Sequence, residues 1–454
     1  MSDTKAPSSP RIAWLLDHGE VGTTYRLKGW VRTRRGSKNV SFIAVTDGSC
    51  AKPIQAVVPA DMPDYEAILP KVTTGCSVEI DGELVESPGK GQRVELQATA
   101  VRVIGEADAE TYPLQKKGHT MEFMRSIAHL RPRANAFSAV FRIRSTLAQA
   151  THRFFGDKDF AYVQTPIITA SDCEGAGEMF EVKAGDGDFF GRHAMLTVSG
   201  QLNAQSLAYG LGQVYTFGPT FRAENSNTSR HLSEFWMVEP EAAFYDINDN
   251  MDLAEAYLKA LIEAVFEKNA DDLEILNRFI DKSLIATLEG TQSNVFERVS
   301  YTDAVEILEK SGQPFEFPVS WGIDLQTEHE RFLTETHFKR PVMVSAYPKE
   351  IKAFYMFQND DDKTVGALDV LVPRIGEIIG GSQREHRLDR LKARLIQDGM
   401  DLEDYTWFLD LHRYGGVPHS GFGLGFERAV MFCTGMANIR DVIPFPRSPG
   451  NAAF

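Results

Sequence analysis

Between residues 20 and 105 the chain alternates apolar and polar positions in short runs: YRLKGWV, VSFIAV, IQAVV, CSVEIDGELV and VELQATAVRVI, separated by Gly, Asp and Pro. A period of two marks strands with one face in a core. Strands of roughly 5–8 residues in this pattern predict a small five-stranded Greek-key barrel of OB type, spanning 15–107. After a polar connector (108–130) the period changes. NAFSAVFRIRSTLAQATHRFF sets Phe137, Val140, Phe141 and Leu147 at helical spacing and reads as one long helix ending at Gly156-Asp157. FAYVQTPIITAS then reads as a strand that Pro166 must end or confine to an edge, because proline cannot donate a ladder hydrogen bond. YTFGPTFRAE and WMVEPEAAF read as a hairpin with a charged tip, and about 250–290 as amphipathic helix. KAFYMFQ, VGALDVLVP and GEIIGGS read as strands, REHRLDRLKARLIQDG as a helix, and SGFGLGFERAVMFCTG as a tight strand-to-helix turn. Helices break the strand runs irregularly, so residues 131–454 are expected to form an antiparallel α+β domain.

Composition narrows the class. At 454 residues the chain exceeds one comfortable core, and 43% hydrophobic with 24% charged residues is ordinary globular composition. The first 14 residues are polar and Pro/Ser-rich, a disordered lead-in rather than a signal peptide. No apolar run reaches membrane-spanning length. Cys50, Cys76, Cys173 and Cys433 stand far apart with no CxxC, which argues against a disulfide framework or structural zinc and for a reducing cytoplasm. A net charge of −15 argues against blanket binding to nucleic acid. Locally, however, RLKGWVRTRRGSK carries Arg26, Lys28, Arg32, Arg34, Arg35 and Lys38 with no acidic residue. With Phe42 and Gln55 on neighbouring strands, Arg34, Phe42 and Gln55 are candidate contacts for a single strand, which such barrels bind by cations and base-stacking rings.

The hairpin tip FRAENSNTSRHLSEFWMVEPE mixes cations, carboxylates and aromatics in a way that neither a solvated loop nor a core strand needs. No GxxxxGK[ST] loop is present, and the glycines of GFGLGFER lack the context of a dinucleotide fingerprint. A nucleotide would have to be held by arginines and a ring instead. Arg222, Arg230 and Arg428 could each donate charge-assisted bonds to phosphate, worth about 1.5–3 kcal/mol apiece. Phe235 could stack a purine whose exocyclic amine Glu224 accepts.

The long helix with its following strand and Pro166, then FRAE with the loop closing on Phe235, then GLGFER resemble, in order, the three signature motifs of class II aminoacyl-tRNA synthetases. With the N-terminal barrel, the chain resembles the aspartyl/asparaginyl/lysyl subclass from about residue 15 to Phe454. The resemblance implies an antiparallel sheet flanked by helices, a homodimer through the first motif, and a barrel that reads the anticodon. It implies Arg222 on the ATP α-phosphate, Arg230 and His231 on the outer phosphates, and Phe235 on adenine with Glu224 at its amine. Arg428 would close over the other ring face and the γ-phosphate, and Asp369 and Glu377 would ligate Mg²⁺.

In the amino-acid pocket it implies Ser199 and Gln201 at the α-amino end, with Glu174 of SDCEGAGEMF closing over it. Arg384 would face the side chain, which repels a lysine substrate. Aspartyl enzymes of the subclass place a lysine three residues after the glutamine matching Gln201; here that position is Ala204. Glu239 is then free to accept from a carboxamide NH₂ while Arg384 donates to its oxygen. EFWMVEPE and DVIPFPRSPG also resemble the bacterial asparaginyl branch. Asparagine is the substrate implied, with tRNA and ATP. Aspartate is the nearest alternative; a tRNA-free amidoligase or a non-catalytic OB-type binder are more distant ones.

Overall fold

The computed structural model describes residues 9–36, 39–89, 91–115, 118–171, 179–185, 189–226 and 228–454. It divides into two compact units, Met1–Ala139 and Val140–Phe454.

In the first unit β1 (Thr24–Gly36), β2 (Val40–Thr46), β3 (Ile54–Pro59), β4 (Ser77–Glu86) and β5 (Val94–Gly105) close into a barrel in the order β1-β2-β3-β5-β4. The alternation sorts the side chains: Ile43 and Val45 of β2 join Leu27, Ile54, Val78, Ile80 and Leu96 in the core, while Phe42 stands on the outer face. The basic run of β1 is not uniformly bare. Arg26 and Lys28 lie opposite Asp81 and Glu79 of β4. Arg26 Nε is 2.7 Å from Asp81 Oδ1, and Arg102 of β5 joins the same carboxylates at 2.6 Å. These exposed pairs contribute little stability, but they neutralise one end of the basic run of β1.

The second unit is built on an eight-stranded sheet. Its strands are β6 (Ala161–Tyr162), β9 (Gln213–Phe221), β10 (Glu234–Ala243), β11 (Glu297–Ser300), β12 (Val342–Pro348), β13 (Thr364–Val372), β14 (Gly376–Gln383) and β15 (His419–Gly425). They run in the order β11-β12-β13-β14-β15-β10-β9-β6. The six inner strands are antiparallel, and the edge strands β6 and β11 pair in parallel. The expected long helix is Asn135–Asp157, and the 250–290 region forms three helices, Ile247–Lys268, Ala270–Phe279 and Leu284–Ser293. The first of these is capped by Asp246 through a capping box. It covers one face of the sheet, where Tyr257 stacks on Phe422 at 6.2 Å and Asn250 Nδ2 donates to the Gly421 carbonyl at 3.0 Å.

Three expectations need correction. FAYVQTPIITAS is not one strand: β6 and β7 (Ile168–Thr169) flank Pro166, and β7 pairs only with β8 (Met195–Leu196) in a separate two-stranded sheet. KAFYMFQ is not a strand either and makes only the isolated bridges Met356–Arg384 and Gln358–Val365. Its consecutive residues Phe354 and Tyr355 are both buried, among Leu391, Leu395 and Phe408, so the segment does not alternate. The helix expected from Arg384 begins at Leu388, because the Arg384 amide still donates to the His419 carbonyl of β15 and the Glu385 amide to the Tyr355 carbonyl.

Strand packing is tight where β14 meets β15. A Cβ on Gly381 would lie 2.6 Å from Phe422 Cβ and 2.7 Å from the Gly421 carbonyl oxygen. Gly381→Ala is therefore expected to destabilise by about 1–3 kcal/mol, lowering the calorimetric unfolding midpoint by roughly 2–10 °C. An unchanged midpoint would contradict this packing.

Candidate active site

The face of the sheet opposite the Ile247–Lys268 helix is stripped of side chains along its middle. Register pairs Met237 with Gly425 and Glu241 with Gly421, and aligns Gly380 with both Gly423 and Asp369. Directly opposed residues share a face. Phe235, Met237, Glu239 and Glu241 of β10 therefore border a floor made by Gly421, Gly423, Gly425 and Gly380, with Asp369 beyond it. At Gly421 and Gly423 the floor has no room for a side chain. A Cβ on Gly423 would sit 2.7 Å from Met237 Cε, and one on Gly421 would land on the Glu241 carboxylate. A bulge between β13 and β14 pairs Leu371 with Glu377 and leaves Ile378 unopposed. The extra residue turns Glu377 onto the same face as Asp369. A Cβ on Gly380 would lie 2.8 Å from Glu377 Oε1 and 3.6 Å from Asp369 Oδ1, so both carboxylates overhang that glycine.

At one end of this trough a single cavity is lined by Arg222, Glu224, Arg230, His231, Phe235, Glu377 and Arg428. The Arg222 guanidinium lies 5.4 Å from the Phe235 ring centroid. Arg428 Nη1 donates to the Glu377 carbonyl at 2.9 Å and to its carboxylate at 3.2 Å. Arg230 Nη1 donates to Thr327 Oγ1 at 2.6 Å. His231 Nδ1 meets Thr228 Oγ1 at 2.5 Å and Ser226 Oγ at 3.1 Å. Desolvation lowers the His231 pKa; Glu224 pulls the other way, and the cations of Arg428, Arg222 and Arg230 add to the lowering. Burial and the neighbouring arginines thus favour the uncharged ring. Desolvation works to raise the Glu377 pKa, but Arg428 and Lys352 outweigh it and hold the carboxyl below its ordinary range.

The Asp369 surroundings were not legible in the sequence. Lys352 Nζ lies 2.8 Å from Asp369 Oδ2. Glu330 accepts from the Glu377 amide at 3.3 Å. Desolvation, then the charges of Glu377 and Asp369, push the Glu330 pKa up to about 8. Thr327 and Glu330 lie in a short helix that no motif marks, and Lys352 lies in the segment misread as a strand.

At the other end of the trough Arg384, 2% exposed, donates to Glu241 through Nη2 (2.5 Å) and Nε (3.2 Å), and through Nη1 to Ser382 Oγ at 2.8 Å. It also lies 5.3 Å from the Tyr355 ring centroid. Burial opposes the Arg384 charge, but Glu241 more than offsets it and holds the pKa above its ordinary value. Glu239 accepts from Ser199 Oγ and, at 3.0 Å, from the Gly200 amide. Ser199, expected at the substrate's α-amino end, is thus a partner of Glu239. Gln201 opens the helix Gln201–Leu211, and its buried Nε2 has no hydrogen-bond partner among the described residues. Glu174 lies outside the described residues. Glu241 was missed, although β10 alternation sets it on the same face as Glu239 and so carried the signal.

In the barrel the expected trio is rearranged by one residue. Arg35 lies opposite Phe42, with its guanidinium 5.5 Å from that ring, and donates to Gln55 Oε1 at 3.0 Å. Arg34 lies opposite the core residue Ile43 and donates to the Leu69 carbonyl. The period of two along β1 therefore puts Arg35, not Arg34, on the face of Phe42 and Gln55.

Residues 120–449 match the family described as tRNA synthetases class II (D, K and N), and residues 25–104 match the OB-fold nucleic acid binding domain. The chain belongs to the class II tRNA synthetases. Among similar curated proteins, the Asparagine–tRNA ligase of a Nostoc species is 58% identical over 98% of this chain and 99% of its own length. The protein of that name from Parabacteroides distasonis is 57% identical over 98% of both. Among solved structures, the asparaginyl-tRNA synthetase of Pyrococcus horikoshii complexed with asparaginyl-adenylate superposes with a TM-score of 0.86 at 35% identity, covering 95% of this chain and 96% of that one. The Entamoeba histolytica asparaginyl-tRNA synthetase in complex with asparaginyl-adenylate gives 0.84 at 27%, covering 96% and 98%. Among the described residues of this synthetase, no helix is long and apolar enough to cross a membrane.

Glu330 gives the synthetase a pH signature. Its ordinary pKa is 4.5 and its folded value about 8. Between those values the folded chain keeps a proton that the unfolded chain has released, so stability falls as pH rises across that window. In denaturant titrations with chelator, Glu330→Gln is expected to match the parent near the lower value and to be the more stable near the upper one. Parallel profiles would contradict the assignment.

Proposed function

We propose that this synthetase uses ATP to activate asparagine and then ligates it to its tRNA. What carries the reading is the amino-acid end of the trough, taken together with near-full-length similarity to proteins named Asparagine–tRNA ligase. Arg384 is a fixed donor and Glu239 an acceptor-only group, which is the pair a carboxamide needs. An aspartate side chain would meet Glu239 as a like charge away from water and be rejected. Ala204 supplies no cation to relieve that repulsion. Gln201 Nε2, lacking a partner within the described chain, remains free to donate to the substrate.

At the nucleotide end, Phe235 stacks adenine, Glu224 accepts from its amine, Arg222 takes the α-phosphate, and Arg230, His231 and Arg428 take the outer phosphates. Asp369 and Glu377 fit Mg²⁺: two carboxylates over a glycine suffice for an ion that takes most of its remaining ligands from phosphates and water. When bound, Mg²⁺ supplies charge neutralisation at the phosphates. A carboxylate oxygen of asparagine attacks the α-phosphorus, the bond to the β-phosphate oxygen breaks, and pyrophosphate leaves with the electron pair. A terminal ribose hydroxyl of tRNA then attacks the adenylate carbonyl and AMP leaves. The substrate carboxylate is already a nucleophile, so positioning and charge neutralisation suffice. The same reading has Arg35, Phe42 and Gln55 contacting the anticodon, and a cytoplasmic homodimer formed through the first motif.

ATP–pyrophosphate exchange with asparagine, aspartate and lysine in turn tests the proposal. Exchange is expected with asparagine alone, and exchange with aspartate but not asparagine would overturn it. Glu239→Gln is expected to narrow the asparagine-to-aspartate ratio of kcat/KM by about tenfold or more. An unchanged ratio would mean that Glu239 does not read the side chain.

A further inference from the structure

Behind the nucleotide cavity lies a second pocket whose charged wall is entirely cationic: Arg230, Arg331, Arg374 and Arg428, over a floor that includes Met431 and Met436. Arg230 and Arg428 line both cavities. An anion could therefore pass from one to the other without losing guanidinium contact. Among the described residues, no carboxylate lines the second pocket. Its counter-charges lie behind the arginines: Glu335 holds Arg331 at 2.8 Å, Asp281 pairs with Arg374, and Glu377 meets Arg428 at 3.2 Å.

Arg374 is the residue least explained by folding alone. It sits in the turn between β13 and β14 with φ 74°, a left-handed conformation that favours glycine. Its Nη2 is anchored by Asp281 and by the Gly435 carbonyl at 3.2 Å, and its amide donates to Glu335 at 2.7 Å. Its Nη1 is buried with no hydrogen-bond partner among the described residues. A left-handed backbone thus holds a clamped guanidinium in the wall of a pocket that shares Arg230 and Arg428 with the nucleotide cavity. A structural role alone would be served by the ion pair to Asp281 and does not call for a fourth guanidinium in this pocket wall.

We infer that this pocket is a release subsite for inorganic pyrophosphate, the polyanion that adenylate formation generates. The inference rests on the proposed activation reaction. Once its bond to the α-phosphate has broken, the leaving group moves past Arg230 and Arg428 onto Arg374 and Arg331, which draws it away from the adenylate and disfavours the reverse attack. Before that bond breaks, ATP is held by the first cavity and does not need Arg374. The pocket should therefore affect pyrophosphate and spare ATP.

Arg374→Gly removes the guanidinium and suits the left-handed backbone, so it should fold; Arg331→Gln is the second variant, and unfolding midpoints check both. In ATP–pyrophosphate exchange, each variant is expected to raise the KM for pyrophosphate about tenfold, the loss of a charge-assisted bond, with the KM for ATP within about twofold of the parent. An unchanged KM for pyrophosphate, or equal rises for ATP and pyrophosphate, would overturn the subsite. Exchange driven by aspartate instead of asparagine would sink the substrate assignment and leave this comparison intact. If no amino acid supports exchange, calorimetric titration of the full chain with pyrophosphate decides: weaker binding to Arg374→Gly supports the subsite, and equal binding overturns it.

Discussion

A guanidinium cannot be taken almost entirely out of water without a partner, and Arg384 is 2% exposed. Its bidentate pairing with Glu241 constrains much of the second unit. Removing one member of such a pair typically costs about 3–5 kcal/mol, because the other is left as an uncompensated buried charge. The pair joins Glu241 of β10 to Arg384, the residue after the end of β14, and β15 lies between those strands. It is possible only because the intervening position is Gly421, where a side chain would collide with the Glu241 carboxylate. The same constraint fixes Ser382, which takes the third guanidinium donor.

That arrangement divides the trough by chemistry. Acceptors and a single oriented cation lie at the Arg384 end, close enough to Glu239 for its charge to act on Arg384. Several cations, one ring and paired carboxylates lie at the other. Glycines between them let a flat, extended molecule lie against backbone. The bulge in β14 completes the second end by turning Glu377 toward Asp369. Both ends therefore depend on sheet register, and the Ile247–Lys268 helix on the opposite face holds that register through Tyr257 and Asn250.

The sequence made the barrel legible, because strict alternation and turn residues leave few other solutions, and it made the nucleotide cluster legible because its motifs lie in contiguous segments. What it hid was set by register. Arg34 and Arg35 are adjacent in sequence, and only their cross-strand partners show which one faces Phe42. Asp81 and Glu79 neutralise part of a run that looks wholly basic, across some fifty residues of chain. Lys352 and Glu330 reach Asp369 and Glu377 from segments without periodicity or motif. KAFYMFQ has the composition of a strand, yet two consecutive rings are drawn into the helical layer. Glu241 lay within reach, two residues beyond Glu239 on a predicted strand.

The central claim is that Glu241 aims Arg384 at the substrate side chain. The most direct measurement is equilibrium binding of asparagine to Glu241→Gln, beside ATP binding to the same variant. The account predicts asparagine affinity weaker by about tenfold or more, since the guanidinium loses its charged anchor, with ATP affinity unchanged because its contacts lie at the other end of the trough. Unchanged asparagine affinity in a folded variant would contradict it.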